Sequence, residues 1–140
     1  MTVRTFMAAL AASVLSCAHD APLVTVAIDP GDVSILVDEA FDFLSSELPP
    51  ATTVLVFPRF PETESLNGGL RDACTRHGYA LGFASGPTAA RRVWVSFRRA
   101  GGGYLLEVDL GGVAMTRWYT RALPKGDLAP AGPRAVRRAS

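Results

Sequence analysis

The sequence feature that most constrains the fold is a pair of glycine clusters, Gly101–Gly103 and Gly111–Gly112, which divide the C-terminal half into three runs. Apolar and polar residues largely alternate in the first two runs, residues 92–98 and 104–110. Such alternation predicts strands with one buried face, and glycine-rich breaks between them predict tight hairpin turns. With residues 113–120 as the third run, the sequence predicts a three-stranded antiparallel meander.

A helix and a short strand are predicted ahead of the meander. The apolar residues that recur at helical spacing are Val37, Phe41, Leu44 and Leu48. They predict a helix over residues 34–48, capped by Asp32 or Ser34 and ended by Pro49–Pro50. Residues 52–57 are mostly β-branched, apolar or aromatic, which predicts a strand buried on both faces.

A second helix and a second strand are predicted before the meander. The helix, residues 62–77, carries Gly69 in its interior, where glycine costs about 1 kcal/mol relative to alanine. Either the helix begins near Gly69, or this glycine permits close contact between helix and sheet. His77 is expected to interact with the helix C-terminus, and residues 79–83 are expected to form the strand.

These elements predict an α+β fold, in which two helices pack on a small mixed sheet that ends in the three-stranded antiparallel meander. The globular domain is expected to span residues 34–121. The residues that follow, 122–140, are rich in proline, glycine and arginine. They are expected to form an irregular tail, and the arginines expected to be solvated there are Arg134, Arg137 and Arg138.

The N-terminus has the organisation of a secretory signal peptide. One basic residue, Arg4, precedes a mostly apolar stretch over residues 5–15, in the order of charged and apolar regions that such signals have. A transmembrane helix needs about 20 apolar residues, so this stretch is too short to span a bilayer comfortably. The sequence therefore predicts export of the chain from the cytoplasm.

The end of this segment, Val14–Cys17, resembles the lipidation signal of bacterial lipoproteins, in which a cysteine is acylated and becomes the mature N-terminus. We expect a signal peptide over residues 1–16, a lipid (palmitate) on Cys17, and a tether over residues 17–33 that clears the membrane headgroups. The alternatives are an ordinary signal cleaved near Ala18, or an apolar N-terminus that stays attached.

Charge and cysteine content restrict the partners and crosslinks of the chain. Its formal charge is +1 and its pI is about 7.8, whereas nucleic-acid-binding domains usually carry a basic stripe, so no direct nucleic-acid partner is expected. With Cys17 lipidated, Cys74 is the one remaining thiol, and no intramolecular disulfide can form. Cys74 is expected to be buried on the apolar face of the second helix, the alternative being a disulfide between two chains.

Tryptophans mark a candidate partner-binding surface. Trp94 lies out of phase with the apolar residues of its strand, so its side chain is expected to point away from the core, and tryptophan is enriched at interfaces. Trp94, Trp118 and Tyr119 are the candidate partner-binding residues. The alternative is that the tail or the N-terminal run covers this face. On the same face, Arg92 and Arg98 are expected to pair with Glu107 and Asp109.

The chain lacks a recognisable catalytic or metal-binding motif. Residues 82–86 read Gly-x-x-Ser-Gly, which is not the Gly-x-Ser-x-Gly of a nucleophile elbow. The two histidines, His19 and His77, do not suffice for a credible catalytic triad or zinc site. We therefore expect no enzyme activity, no metal, no cofactor and no small-molecule substrate.

Several segments together resemble the TrbH family of conjugal transfer lipoproteins. They are the signal through Cys17, Leu48–Thr52, Leu70–Tyr79, Tyr104–Val108, Thr116–Tyr119 and Leu128–Gly132. The resemblance implies a structural subunit of a conjugative type IV secretion system that supports DNA transfer between bacteria. It also implies a lipid anchor in the outer membrane, a domain facing the periplasm, and other secretion subunits as partners. The chain departs from the family pattern at Pro133, where an aromatic residue is expected.

Two other functions remain open at the level of sequence. The order helix, strand, helix, strand also resembles small envelope lipoproteins linked to flagellar or outer-membrane assembly. A small envelope hydrolase is the third hypothesis, and it would depend on Ser85 and His77.

Overall fold

The predicted meander is present at the centre of the fold in the computed structural model of the chain, which describes residues 24–83, 90–122 and 126–140. The strands, in chain order, are β1 Val24–Thr25, β2 Val54–Val56, β3 Ala80–Leu81, β4 Arg91–Arg92, β5 Trp94–Ala100, β6 Gly103–Asp109, β7 Val113–Arg121, β8 Leu128–Pro130 and β9 Ala135–Arg138. The helices are α1 Pro30–Glu47 and α2 Glu64–Arg76, with short 3₁₀ turns at Pro50–Thr52 and Pro61–Thr63.

Strands β5, β6 and β7 pair antiparallel, as predicted. Val95 lies opposite Val108, which lies opposite Met115 on the third strand. The turns use left-handed glycines, with φ of +55° at Gly101 and +70° at Gly111, a conformation that side chains with a Cβ rarely adopt. Strand β1 pairs with β5 on the other side. The meander predicted from alternation is therefore confirmed.

A second, parallel sheet continues from the first. Its strand order is β3, β2, β4, and only Val93 separates β4 from β5. The backbone N–H of Val93 donates to the carbonyl of Val56 at 2.9 Å, which joins the parallel strands to the meander. Helix α2 connects β2 to β3 in the manner of a β-α-β unit. Parallel and antiparallel strands therefore coexist with two helices, and the predicted α+β class is confirmed.

Helix α1 begins earlier than predicted, at Pro30 instead of residue 34. Proline is favoured at the first helical position because its φ is already helical and no partner is needed for its nitrogen. Asp32 does not cap the helix; its side chain is buried and pairs with Arg121 of β7. The expected tether over residues 17–33 is therefore wrong in its last part, which belongs to the folded domain.

Helix α2 runs through Gly69 without interruption. A Cβ placed on Gly69 would lie 2.8 Å from Cγ2 of Val37 on α1, so the glycine permits close contact between the two helices. The expected contact with the sheet is wrong. At the C-terminus of α2, the Nδ1–H of His77 donates to the carbonyl of Ala73 at 2.8 Å, and Gly78 has a φ of +86°. The predicted role of His77 at the helix end is confirmed.

One hydrophobic cluster joins both helices to the inner face of the sheet. Its largest fully buried side chains include Tyr119, Phe43, Leu36, Leu44, Leu66, Leu70, Leu106 and Met115. Cys74 belongs to this cluster and is fully buried, as expected. Burial raises the pKa of its thiol to about 12, since an apolar environment disfavours the thiolate. Both helices therefore cover one face of the meander.

The tail is not irregular. Strand β8 pairs with the C-terminal half of β7 and β9 with its N-terminal half, so the expected irregular segment over residues 122–140 is wrong. Arg134 is largely removed from solvent by its pair with Glu39 of α1, whereas Arg138 pairs with Glu47 of α1 but stays exposed, as expected. Arg137 is exposed, as expected. The tail extends the sheet because its arginines meet an acidic helix and because proline is tolerated on edge strands.

Candidate functional site

The face of the meander opposite the helices, here called the outer face, carries large aromatic side chains in the open. The register places on it the side chains of Trp94, Ser96, Arg98, Leu105, Glu107, Asp109, Thr116 and Trp118. Trp94 remains 43% exposed and Trp118 46% exposed. The expectation that Trp94 points away from the core is confirmed.

The described part of the tail does not cover this face. Strands β8 and β9 lie beside β7 at the edge of the sheet, where they complete its backbone pairing. The described part of the N-terminal run, residues 24–28, does not cover it either: β1 lies at the opposite edge, beside β5, and Val26 and Ile28 pack against the core. Tryptophan is enriched at protein interfaces, so the two exposed tryptophans make the outer face a candidate partner-binding surface.

Tyr119 does not belong to the outer face. It follows Trp118 on β7, so its side chain points to the helices, where it is 1% exposed. Burial raises the pKa of its phenol to about 12, helped by the nearby carboxylate of Glu39. The assignment of Tyr119 as a partner-binding residue is wrong, because successive side chains of a strand point to opposite faces.

A groove lies on the outer face where the chain between β2 and α2 approaches β5. Its volume is about 440 Å³, within the range of ligand pockets. Phe60, Glu62 and Thr63 form one wall, and the outer-face residues Trp94, Ser96, Arg98, Glu107 and Asp109 form much of the rest. We call this feature the outer groove. The ring of Phe60 lies 5.3 Å from that of Trp94, tilted by 34°.

A buried asparagine holds the wall of the outer groove in place. The side-chain amide of Asn67 donates to the hydroxyl of Thr63 at 3.1 Å and to the carbonyl of Pro58 at 3.4 Å. Asn67 and Thr63 are both buried. The wall is therefore fixed before any ligand arrives.

Charges in the outer groove are only partly balanced. The guanidinium of Arg98 donates to the carboxylate of Glu107 at 2.5 Å, which confirms one of the two expected ion pairs. Asp109 accepts instead from the backbone N–H of Gly111 at 2.7 Å. Arg92 lies on β4 and makes no ion pair among the described residues; its expected pair is wrong.

The groove residues Phe60 and Glu62 were missed by analysis of the sequence. Phe60 lies between Pro58 and Pro61 in a segment with no periodic pattern, and only the fold brings it to Trp94. The one local signal was an aromatic residue between two prolines. Such a residue belongs to no helix or strand, so its ring is available to pack against another part of the fold.

Of the two residues on which hydrolysis would depend, the structure describes His77. The ring of His77 is bound at the end of α2 and lies 4.4 Å from that of Phe41. Ser85 lies outside the described residues. Across residues 24–83, 90–122 and 126–140, no group of His, Cys, Asp and Glu side chains is arranged to hold a metal ion.

The membrane-anchoring prediction concerns residues that the structure does not describe. Cys17 and the signal peptide both precede residue 24. Within the described ranges, neither helix combines the length and the hydrophobicity required to cross a bilayer.

Comparison with known proteins connects the chain to a family of conjugal transfer proteins. The sequence model of a family described as conjugal transfer protein TrbH matches residues 16–139, nearly the whole chain. No curated protein and no solved structure was found to match.

Proposed function

Because the chain belongs to the TrbH family of conjugal transfer proteins, we propose that it is a lipid-anchored assembly subunit of a conjugative type IV secretion system. In this role it supports DNA transfer between bacteria by holding other subunits in position at the outer membrane. The family match over residues 16–139 carries this proposal, and it favours conjugation over the flagellar and other envelope alternatives.

The anchor in this proposal is Cys17. Each buried methylene of an acyl chain contributes about 0.8 kcal/mol, so several chains on one cysteine hold a small domain firmly where a single chain does not. Ala18, the next residue, suits sorting to the outer membrane. The first described strand begins at Val24, so the leash between lipid and domain is short and keeps the domain near the periplasmic surface of the membrane.

The outer face is the surface that we propose for the other subunits. It is uncovered by the described chain and displays Trp94 and Trp118 on either side of β6. Side chains of this kind provide much of the binding energy at protein interfaces. The opposite face is occupied by the helices, and the role that we propose for the chain is positional.

The experiment that tests the proposal is DNA transfer from a strain that lacks the gene. The native chain should restore transfer, whereas Cys17→Ser and the double variant Trp94→Ala with Trp118→Ala should not. Leu81→Ala is the matched control, since Leu81 is 41% exposed on β3, away from the outer face. All variants must be present at equal amounts.

Two outcomes would contradict this function. A deletion with normal transfer frequency would remove the conjugative role. Full restoration by Cys17→Ser, with the protein found in the soluble periplasmic fraction, would show that the role needs no lipid.

A further inference from the structure

The outer groove has an aromatic surface available to a ligand. Trp94 and Phe60 are 43% and 40% exposed although their rings contact each other. The indole face attracts a cation within about 6 Å of its centroid, and tryptophan does so better than tyrosine or phenylalanine. An exposed indole at the rim of a preformed groove is therefore suited to a flat cationic group.

The same groove has an excess of negative charge. Three of its lining side chains are carboxylates, Glu62, Glu107 and Asp109, whereas Arg98 is its one lining cation. Arg98 is already committed to Glu107. Glu62 and Asp109 make no ion pair among the residues that the structure describes, so the groove offers two carboxylates to an incoming cation.

Two neighbouring arginines do not fill this position. Arg91 donates to the carbonyl of Gly111 at 3.2 Å, and Arg92 is exposed on β4. Neither lines the groove. Arg137 of β9 lines adjacent pockets with Glu107 and Asp109, and it does not line the groove either. Because exposed charges are screened by salt, binding in the groove needs a direct contact between the ligand cation and the carboxylates.

From this combination we propose that the outer groove binds an arginine side chain presented by another protein. The guanidinium stacks on Trp94 and donates to Asp109 and Glu62. Arginine fits better than lysine because its planar group can stack on a ring and donate to carboxylates at the same time. The wall held by Asn67 is already in place, which lowers the ordering cost of binding. The identification of the partner as a secretion subunit rests on the proposed function. The argument that the groove binds arginine rests on the groove residues alone.

Peptide binding to the full-length protein in detergent tests the proposal. The probe is an acetylated and amidated peptide of alternating threonine and arginine, compared with peptides in which citrulline or glutamate replaces arginine. Citrulline keeps the planar shape of arginine but carries no charge. The arginine peptide should bind most tightly, with an affinity that falls as salt rises.

Variants then locate the site. Trp94→Ala should weaken binding of the arginine peptide by about fivefold to tenfold, and Asp109→Asn and Glu62→Gln should each weaken it as well. Matched controls are Leu81→Ala, an exposed apolar residue of β3 outside the groove, and Asp38→Asn, an exposed carboxylate of α1. Both controls should bind like the native protein, and each variant should melt at the native temperature.

The possible results separate this proposal from the proposed function. Equal binding of the arginine and citrulline peptides, no binding at all, or native binding by Trp94→Ala and Asp109→Asn would each overturn the arginine site. If transfer nevertheless requires Cys17 and the outer face, the conjugative role stands without that site. If arginine binding is confirmed and the deletion transfers DNA normally, the site stands and the conjugative role fails.

Discussion

At the scale of single residues, the phase of a strand decides which side chains a partner can reach. Trp118 and Tyr119 are neighbours in sequence, yet one is 46% exposed and the other 1% exposed. The hydroxyl of Tyr119 has no hydrogen-bond partner among the described residues. A buried hydroxyl without a partner lowers stability, because its hydrogen bonds to water are lost without replacement.

Replacing Tyr119 should therefore affect folding and not partner binding. Tyr119→Phe removes the unpaired hydroxyl, and we expect the free energy of unfolding to stay the same or to rise by about 1 kcal/mol. Tyr119→Ala should lower it by about 3–5 kcal/mol, because it leaves a cavity in the core. Urea denaturation measures both, and a clear loss of stability in Tyr119→Phe would contradict the unpaired hydroxyl. DNA transfer with Tyr119→Phe should be normal.

At the scale of elements, two adjacent glycines in α2 have different surroundings. A Cβ on Gly68 would lie 3.8 Å from the end of the Arg71 side chain, an ordinary contact, whereas one on Gly69 would lie 2.8 Å from Val37. Glycine inside a helix costs about 1 kcal/mol relative to alanine. Only at Gly69 is this cost offset by closer packing between α1 and α2.

Alanine at the two positions should have opposite effects. Gly68→Ala should raise the free energy of unfolding by about 1 kcal/mol. Gly69→Ala gains the same helix propensity but loses about 1–3 kcal/mol to overpacking, and Gly69→Val should lose more. Thermal melting of the three variants checks this order. Adding Val37→Ala to Gly69→Ala should recover stability if the clash with Val37 is its cause, and no recovery would contradict that contact.

At the scale of the whole molecule, ion pairs hold the last strands against the first helix. Arg138 donates to both carboxylate oxygens of Glu47, at 2.8 and 2.9 Å. Nearer the middle of α1, Glu39 pairs with Arg117 of β7 and with Arg134 of the tail. Helix α1, near the N-terminal end of the domain, therefore contacts residues some ninety positions later in the sequence. These contacts link the two ends of the folded domain.

Acid should weaken this attachment. The hydrogen bond from Arg138 holds the pKa of Glu47 below its ordinary value of 4.5. Because the folded pKa is lowered, the pair stabilises the fold above the ordinary pKa, and this contribution is lost as pH falls through the folded pKa. We therefore expect the β9 amides to lose protection from hydrogen exchange, corrected for intrinsic rates, as the pH falls from the ordinary pKa of Glu47 through its folded pKa.

Glu47→Gln is the matched control for this pH dependence. At neutral pH its β9 amides should be less protected than those of the native protein, and the difference should vanish once Glu47 is protonated. A difference that persists in acid would show that the substitution acts through packing and not through charge.

The sequence predicted the local part of the fold well. The meander, the burial of Cys74, the position of His77 at the end of α2 and the outward direction of Trp94 follow from periodicity and turn residues, which depend on neighbours a few positions apart. The strands of the tail were missed because β8 and β9 are only three and four residues long and are flanked by prolines and glycines. Their pairing with β7, and the ion pairs of Arg134 and Arg138 with α1, involve partners that no local pattern reveals.

By itself the sequence determined the α+β class and the meander, because alternation and glycine turns act within each segment. It also identified Trp94 as an outward aromatic residue. Only the tertiary structure decided that Phe60 meets Trp94, that Asp109 and Glu62 share one groove, and that the tail completes the sheet edge. These features depend on how distant segments pack around one core, and packing brings together residues whose separation along the chain carries no periodic signal.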